Sequence, residues 1–434
     1  MKTDVKVYHG DHIGGCVTVI NYENDGVVRR IMIDYGASLS EEDDDEKVDY
    51  PWDEKPVEAV FFTHYHGDHV GRFKEIPENI PLYMGKATRD VMKNIYEALS
   101  GTDGRDDEAL RILKDDKRIR TFHENVPVTD IKDFTITPYT VDHSAYDAYM
   151  FLIETPDDKG KKVILHTGDF RGHGYRGKNG ETILRVIDRY VHRNGRKVDI
   201  LITEGTMMTR GNEKVLTEGE LQQQAYEELK NYKYVFLICS STNLDSLTSF
   251  YCAAEKTGKW MYTYNRYFEQ QIKTLSQYAK EYTTLYDLKH INKIDFDKML
   301  YSEHWDKGRT QESLMLEHGF LAVIKPADYC QKFIDRFKGL EKETALIYSM
   351  WNGYIDETEE AYKPEWDRFI KKQEEKGIKI IELHTSGHAT RELITKVIKA
   401  VDPQEAIMPI HTENRKGFME LEISEELKDK IVFT

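Results

Sequence analysis

The chain has 434 residues, of which 32% are charged and 39% hydrophobic, and a formal net charge of −16. That length buries substantial cores and suits two domains, and the composition excludes a disordered chain. The acidic excess weighs against a groove-coating nucleic-acid binder, which is usually basic, although bound cations or a local basic cleft reverse the field at one site.

The first residues, MKTDVKVYHGDH, are polar and contain no apolar signal core, and no long apolar run follows. A cytoplasmic protein with no membrane attachment is therefore expected. Cys16, Cys239, Cys252 and Cys330 are scattered without a C-x-x-C pair, which fits free thiols in a reducing compartment. Val5–Tyr8, Val17–Tyr22 and Arg30–Tyr35 read as strands, with turns at Gly14-Gly15 and Asn24-Asp25-Gly26. The acidic run Glu41–Asp49 has no ligand spacing and reads as a solvated loop.

Val57–Phe62 is apolar, too short for a typical helix and rich in β-branched and aromatic residues, so a buried strand is expected. It runs into Thr63-His64-Tyr65-His66-Gly67-Asp68-His69. In an extended segment His64 and His66 share one side, and Asp68 and His69 then turn the chain toward a helix at Val70. Imidazole and carboxylate donors held at a strand end suit zinc or manganese.

Further on, Ile80–Met84 reads as a strand, Ala87–Leu99 as an amphipathic helix, and Arg118–Glu154 as alternating antiparallel strands containing His143. An apolar strand at Val163–Leu165 ends in His166-Thr167-Gly168-Asp169, and Val198–Thr203 ends at Glu204. From Gly205 the pattern becomes a regular α/β alternation, opened by a capping box at Thr217-Glu218-Gly219-Glu220 and implying a parallel sheet with helices on its faces. Strand Tyr234–Cys239 leads into Ser240, Ser241, Thr242 and Asn243 ahead of a helix. These residues, with Thr385 and Ser386, either hold a phosphate through hydroxyls and amides or simply cap helices. A strand from Ile378 ends in His384-Thr385-Ser386-Gly387-His388, and strand Ala406–Ile410 presents His411.

The H-x-H-x-D-H stretch is the signature of the metallo-β-lactamase superfamily, which the chain resembles from its first strands onward. The implied fold is α/β: an αββα sandwich from residues 1–204 and 378–434, with an α/β β-CASP domain inserted at 205–377. The resemblance also implies two divalent ions, zinc with manganese as the alternative. His64, His66 and His143 would take the first and Asp68, His69 and His411 the second, with Asp169 contacting both. A hydroxide between the ions would be the nucleophile, and Asp34 would support the histidine loop.

The insertion resembles that of nucleic-acid-processing β-CASP hydrolases. Glu204 matches the first β-CASP motif, Ser386-Gly387-His388 the second, and Pro409-Ile410-His411 the third, where histidine accompanies RNA enzymes and valine DNA enzymes. Within that family, residues 384–388 most resemble ribonuclease J. The implied function is a metal-dependent phosphodiester hydrolase acting on single-stranded RNA, with Asp68, His388 and Glu204 as catalytic residues. His388 would assist the leaving group and Glu204 would orient it. Three features depart from the family: the chain as given ends at Thr434, Ser349–Tyr354 stands in place of a glycine-serine phosphate loop, and the first motif reads Glu-Gly-Thr. The alternatives are a small-molecule ester, thioester or phosphodiester hydrolase and a catalytically silent RNA-binding protein. Self-association into a homo-oligomer is left open.

Overall fold

The computed structural model describes residues 1–38, 49–103, 107–158, 160–210, 214–263, 266–280, 283, 285–294, 310–359 and 361–433. All of the acidic run except Asp49 lies outside them. The chain forms two units, Met1–Val215 with Gly387–Thr434, and Leu216–Ser386.

The first unit is built on two sheets. One contains β1 (Lys2–Tyr8), β2 (Val17–Asn24), β3 (Val27–Ile33), β4 (Ala59–Phe61), β5 (Leu82–Gly85) and β6 (Ile119–Phe122), in that order. β1, β2 and β3 pair as antiparallel hairpins, and β4 through β6 continue in parallel. The alternation around residue 120 suggests an antiparallel strand, yet β6 pairs parallel to β5, because helices Lys86–Asp103 and Asp107–Lys114 carry the chain back between them. The second sheet takes β7 (Thr135–Thr140), β8 (Tyr149–Asp157), β9 (Gly160–His166) and β10 (Ile200–Glu204).

In the second unit β11 (Tyr234–Cys239), β12 (Trp260–Thr263), β13 (Ile291–Lys293), β14 (Phe320–Ile324), β15 (Thr344–Ser349) and β16 (Lys379–Glu382) form a parallel sheet ordered 13-12-14-11-15-16. β11, β14 and β15 are buried along their whole length, as strands covered on both faces by helices must be. The capping box is present: the Glu220 amide donates to Thr217 Oγ1 at 3.1 Å, and the Thr217 amide to Glu220 Oε2 at 2.8 Å. β16 pairs with β15, so this strand belongs to the inserted sheet and the chain returns to the first unit at Gly387, later than residue 378. Its register against Ala345–Tyr348 decides this, and no local pattern announces it.

β17 (Ala406–Ile410) then closes the second sheet beside β10, in the order 17-10-9-8-7. The inner faces of the two sheets meet in one core, with Ile20, Ile31, Ile33 and Phe61 from one side and Ile136, Phe151, Ile164, Ile202 and Met408 from the other. Helix Lys86–Asp103 packs on β5 and β6, and helix Arg391–Val401 on β10, giving helix-sheet-sheet-helix layering. No helix among the described residues is long and apolar enough to cross a membrane.

Candidate metal centre

The candidate site lies wholly in the first unit, where β3, β4, β9, β10 and β17 end. Asp34 sits just past β3 in a left-handed conformation (φ 60°), and its buried carboxylate organises the histidine loop. It accepts from the Thr63 amide, the Thr63 hydroxyl and His69 Nδ1–H, each at 2.8 Å. The Thr63 hydroxyl, having donated to Asp34, accepts from His64 Nδ1–H at 3.1 Å. Both histidines are thereby held as tautomers whose Nε2 lone pairs face inward.

His143 follows β7 and is anchored on both sides. Its Nδ1–H donates to the Gly387 carbonyl at 2.6 Å, which turns Nε2 to within 3.2 Å of His66 Nδ1. Its neighbour Asp142 is buried against Arg171 and accepts from the Gly174 amide at 2.9 Å, which locks the loop that carries it. Donor atoms of His64, His66 and His143 all lie within 4.8 Å of one another.

A second cluster joins Asp68, His69, Asp169 and His411. His69 Nε2 is 3.1 Å from Asp169 Oδ2, and His411 Nε2 is 3.1 Å from Asp68 Oδ2. Asp169 is presented by a turn in which Gly168 has φ 56°; there a Cβ would lie 2.8 Å from the Tyr149 carbonyl oxygen. His166 accepts the Gly168 amide on Nδ1 at 3.1 Å, so this histidine shapes the turn. Beside the cluster, His388 Nδ1 is 3.2 Å from Glu204 Oε2 and 3.6 Å from Asp169 Oδ2. Glu204 is fully buried, and its Oε1 accepts from the Phe170 amide at 2.8 Å.

The electrostatics separate the two clusters. Burial, with His69 and His143 alongside, pushes His64 well below the ordinary imidazole range. Burial likewise pushes His66 down to about 4 and lowers His143 strongly. All three are neutral at pH 7, the form that ligates a metal. Burial also opposes charge on His69 and His411, but the Asp169 carboxylate they face outweighs it and raises both.

Within the two clusters, the buried atoms His64 Nε2 and Asp169 Oδ1 have no hydrogen-bond partner among the described residues. An unpaired buried polar atom costs about 1–3 kcal/mol. One sits in each cluster, and a cation at each position would answer it. The nitrogen and carboxylate donors fit zinc or manganese.

A β-lactamase superfamily domain model matches residues 29–223. That stretch carries a β-lactamase superfamily domain. The Leu216–Ser386 unit is a parallel sheet inserted between β10 and β17, at the place where the sequence resemblance puts a β-CASP domain. The DNA cross-link repair protein pso2/snm1 of Schizosaccharomyces pombe is 26% identical over 115 residues, a stretch that covers 26% of this chain and 17% of that protein. A solved structure of a protein of unknown function from Enterococcus faecalis V583 shares the fold over 96% of both chains, with a TM-score of 0.67 at 18% identity. Zinc-bound PqqB from Methylobacterium extorquens aligns over 47% of this chain and 66% of its own, at 14% identity and a TM-score of 0.27.

In the first unit the seven candidate ligands and the Glu204–His388 pair come together. The other candidates, Ser240, Ser241, Thr242, Asn243, Thr385 and Ser386, belong to the inserted unit. There Asn243 caps its helix by accepting the Ser246 amide at 3.1 Å, and Ser240 and Thr242 bond to each other at 2.8 Å. Thr385 donates to the Leu216 carbonyl. Sequence reasoning missed Thr206, whose hydroxyl lies 2.7 Å from His411 Nδ1 and 3.1 Å from His388 Nδ1. Its place two residues after Glu204 was the available signal. It also missed Thr63, Asp142 and Arg171, whose roles depend on contacts distant in the chain.

Proposed function

We propose that this protein is a metal-dependent phosphodiester hydrolase acting on nucleic acid, with single-stranded RNA as the favoured substrate. The observation that carries this reading is the pair of donor clusters at one set of strand ends, each with a buried donor atom that has no hydrogen-bond partner among the described residues. Two divalent ions bound there would supply Lewis acidity and an activated water.

The residues then have separable tasks. His64, His66 and His143 would hold one ion, and Asp68, His69 and His411 the other, with Asp169 available to the second and, as the resemblance implies, to the first. The His388 side chain is 22% accessible, more than Asp68, Asp169 and His411 beside it, so it can meet a substrate. Glu204 Oε2 lies 3.2 Å from its Nδ1, which orients the ring so that Nε2 is the atom available to a leaving oxygen. Thr206 braces both His388 and His411.

His411 at the third β-CASP position favours RNA, whereas the pso2/snm1 relative, a DNA cross-link repair protein, favours DNA. The test incubates 5′-labelled single-stranded RNA and the same sequence as DNA with the protein in zinc or manganese, beside Asp68→Ala and His388→Ala. Metal-dependent cleavage of RNA, lost in both variants, is expected. Preferential cleavage of DNA would transfer the assignment to the second substrate, and cleavage of neither would reject it.

A further inference from the structure

The Asp68–His69–Asp169–His411 cluster has a sulfur neighbour. Cys16 Sγ is 3.9 Å from His69 Nε2, and donor atoms of Cys16, His69 and His411 lie within 4.8 Å of one another. Cys16 is buried, with 8% of the residue exposed.

Its position is built by the backbone. Gly14 and Gly15 take φ values of 99° and 61°, a left-handed turn that favours glycine and delivers Cys16 to the start of β2. The Cys16 amide donates to the Asp68 carbonyl at 3.2 Å, and the Gly36 amide donates to the Cys16 carbonyl at 3.2 Å. Gly36 has to be glycine, because a Cβ there would lie 1.6 Å from the Asp68 carbonyl oxygen. Cys16 is thus tied to the ligand loop at its own residue and at the strand that buttresses that loop.

A second observation points to a cation at the adjoining cluster. Asp169 Oδ1, buried and without a hydrogen-bond partner among the described residues, belongs to the cluster that shares His69 and His411 with Cys16. Around a zinc ion with bond lengths near 2.3 Å to sulfur and 2.0–2.1 Å to nitrogen, neighbouring donors lie about 3.1–3.8 Å apart. The observed 3.9 Å differs from this by less than a side-chain rotation.

We propose that Cys16 is a sulfur ligand of the Asp68–His69–Asp169–His411 position and biases it toward a soft divalent ion, zinc over manganese. This rests on the metal-dependent reading above. Thiolate selects zinc, while manganese prefers carboxylate and water, so replacing sulfur by oxygen should narrow the preference. The bland alternative is a small apolar side chain filling the space among Val7, Val17, Ile33 and Ile410.

The probe is Co(II), added to the whole chain after chelation. Visible d–d absorption together with a near-ultraviolet sulfur-to-cobalt charge-transfer band is expected. Cys16→Ser should abolish the second band and keep the first, and should weaken zinc binding by about 10–100-fold. Visible bands without charge transfer in the wild type would overturn the proposal and leave the metal site standing. Charge transfer surviving in Cys16→Ser would assign the sulfur elsewhere and overturn it as well. Absence of visible bands would reject the metal reading itself. Zinc-edge X-ray absorption of the wild type gives a readout independent of how the variant folds: a zinc–sulfur path near 2.3 Å is expected, and a purely nitrogen and oxygen shell overturns the proposal.

Discussion

Asp34→Asn should uncouple metal binding from folding. Asp34 occupies the left-handed region, which asparagine also tolerates, so the backbone is undisturbed. The carboxylate accepts three hydrogen bonds at 2.8 Å, from the Thr63 amide, the Thr63 hydroxyl and His69 Nδ1–H. The amide oxygen of asparagine can keep the first. Its NH2 group meets the other two donors; the hydroxyl can rotate to accept, but His69 can relieve the clash only by moving its proton to Nε2. Losing charge-assisted bonds of about 1.5–3 kcal/mol each, partly recovered, gives an expected destabilisation of about 2–4 kcal/mol. The relocated proton occupies the nitrogen that faces Asp169, so affinity at the Asp68–His69 position should fall about 10–100-fold while the His64–His66–His143 position changes less. The assay is competition for zinc against a chromophoric chelator, fitted to two sites, with urea unfolding in excess chelator for stability. Wild-type affinity at both positions in Asp34→Asn would refute the argument that Asp34 sets the tautomer of His69.

Gly168→Ala should destabilise the protein by at least about 2 kcal/mol, combining the left-handed penalty with a Cβ 2.8 Å from the Tyr149 carbonyl oxygen; urea midpoints within error of wild type would contradict this. Burial pushes His166 down to about 4, whereas the unfolded chain titrates near 6.5. The unfolded state therefore binds the extra proton first, so His166's contribution is intact above pH 6.5 and is lost as pH falls toward 4, at up to about 1.4 kcal/mol per pH unit. In metal-free protein His166→Gln, which keeps an acceptor for the Gly168 amide, should lose about 1–3 kcal/mol less than wild type across that window, and parallel pH curves would exclude the assignment. Zinc at one hundred times its dissociation constant should add about 2.7 kcal/mol per occupied position, so a chelator should lower the melting temperature; an unchanged melt would count against both positions.

Much of the site was legible because its ligands end strands. Short apolar runs are readable from one sequence, and the residue that follows such a run is placed at a sheet edge whatever the sheet's partners. His64, His66, Asp68 and His69 were legible together, since four imidazole and carboxylate donors fall within six consecutive positions. His143, Asp169, Glu204 and His411 each lie at the end of a readable strand or in the turn just after one, but nothing local says that those ends meet.

Strand ends, the capping box at Thr217 and the α/β alternation after Gly205 follow from local periodicity and hydrogen-bonding chemistry, so the sequence by itself determined them. Tertiary structure alone decided the rest. The pairing of β16 with β15, the parallel setting of β6, the Asp34–Thr63–His69 network and the approach of Cys16 to His69 all join residues far apart in the chain. Such contacts depend on register and on which backbone can approach which, as Gly36 against Asp68 shows, and those are properties of the assembled sheets.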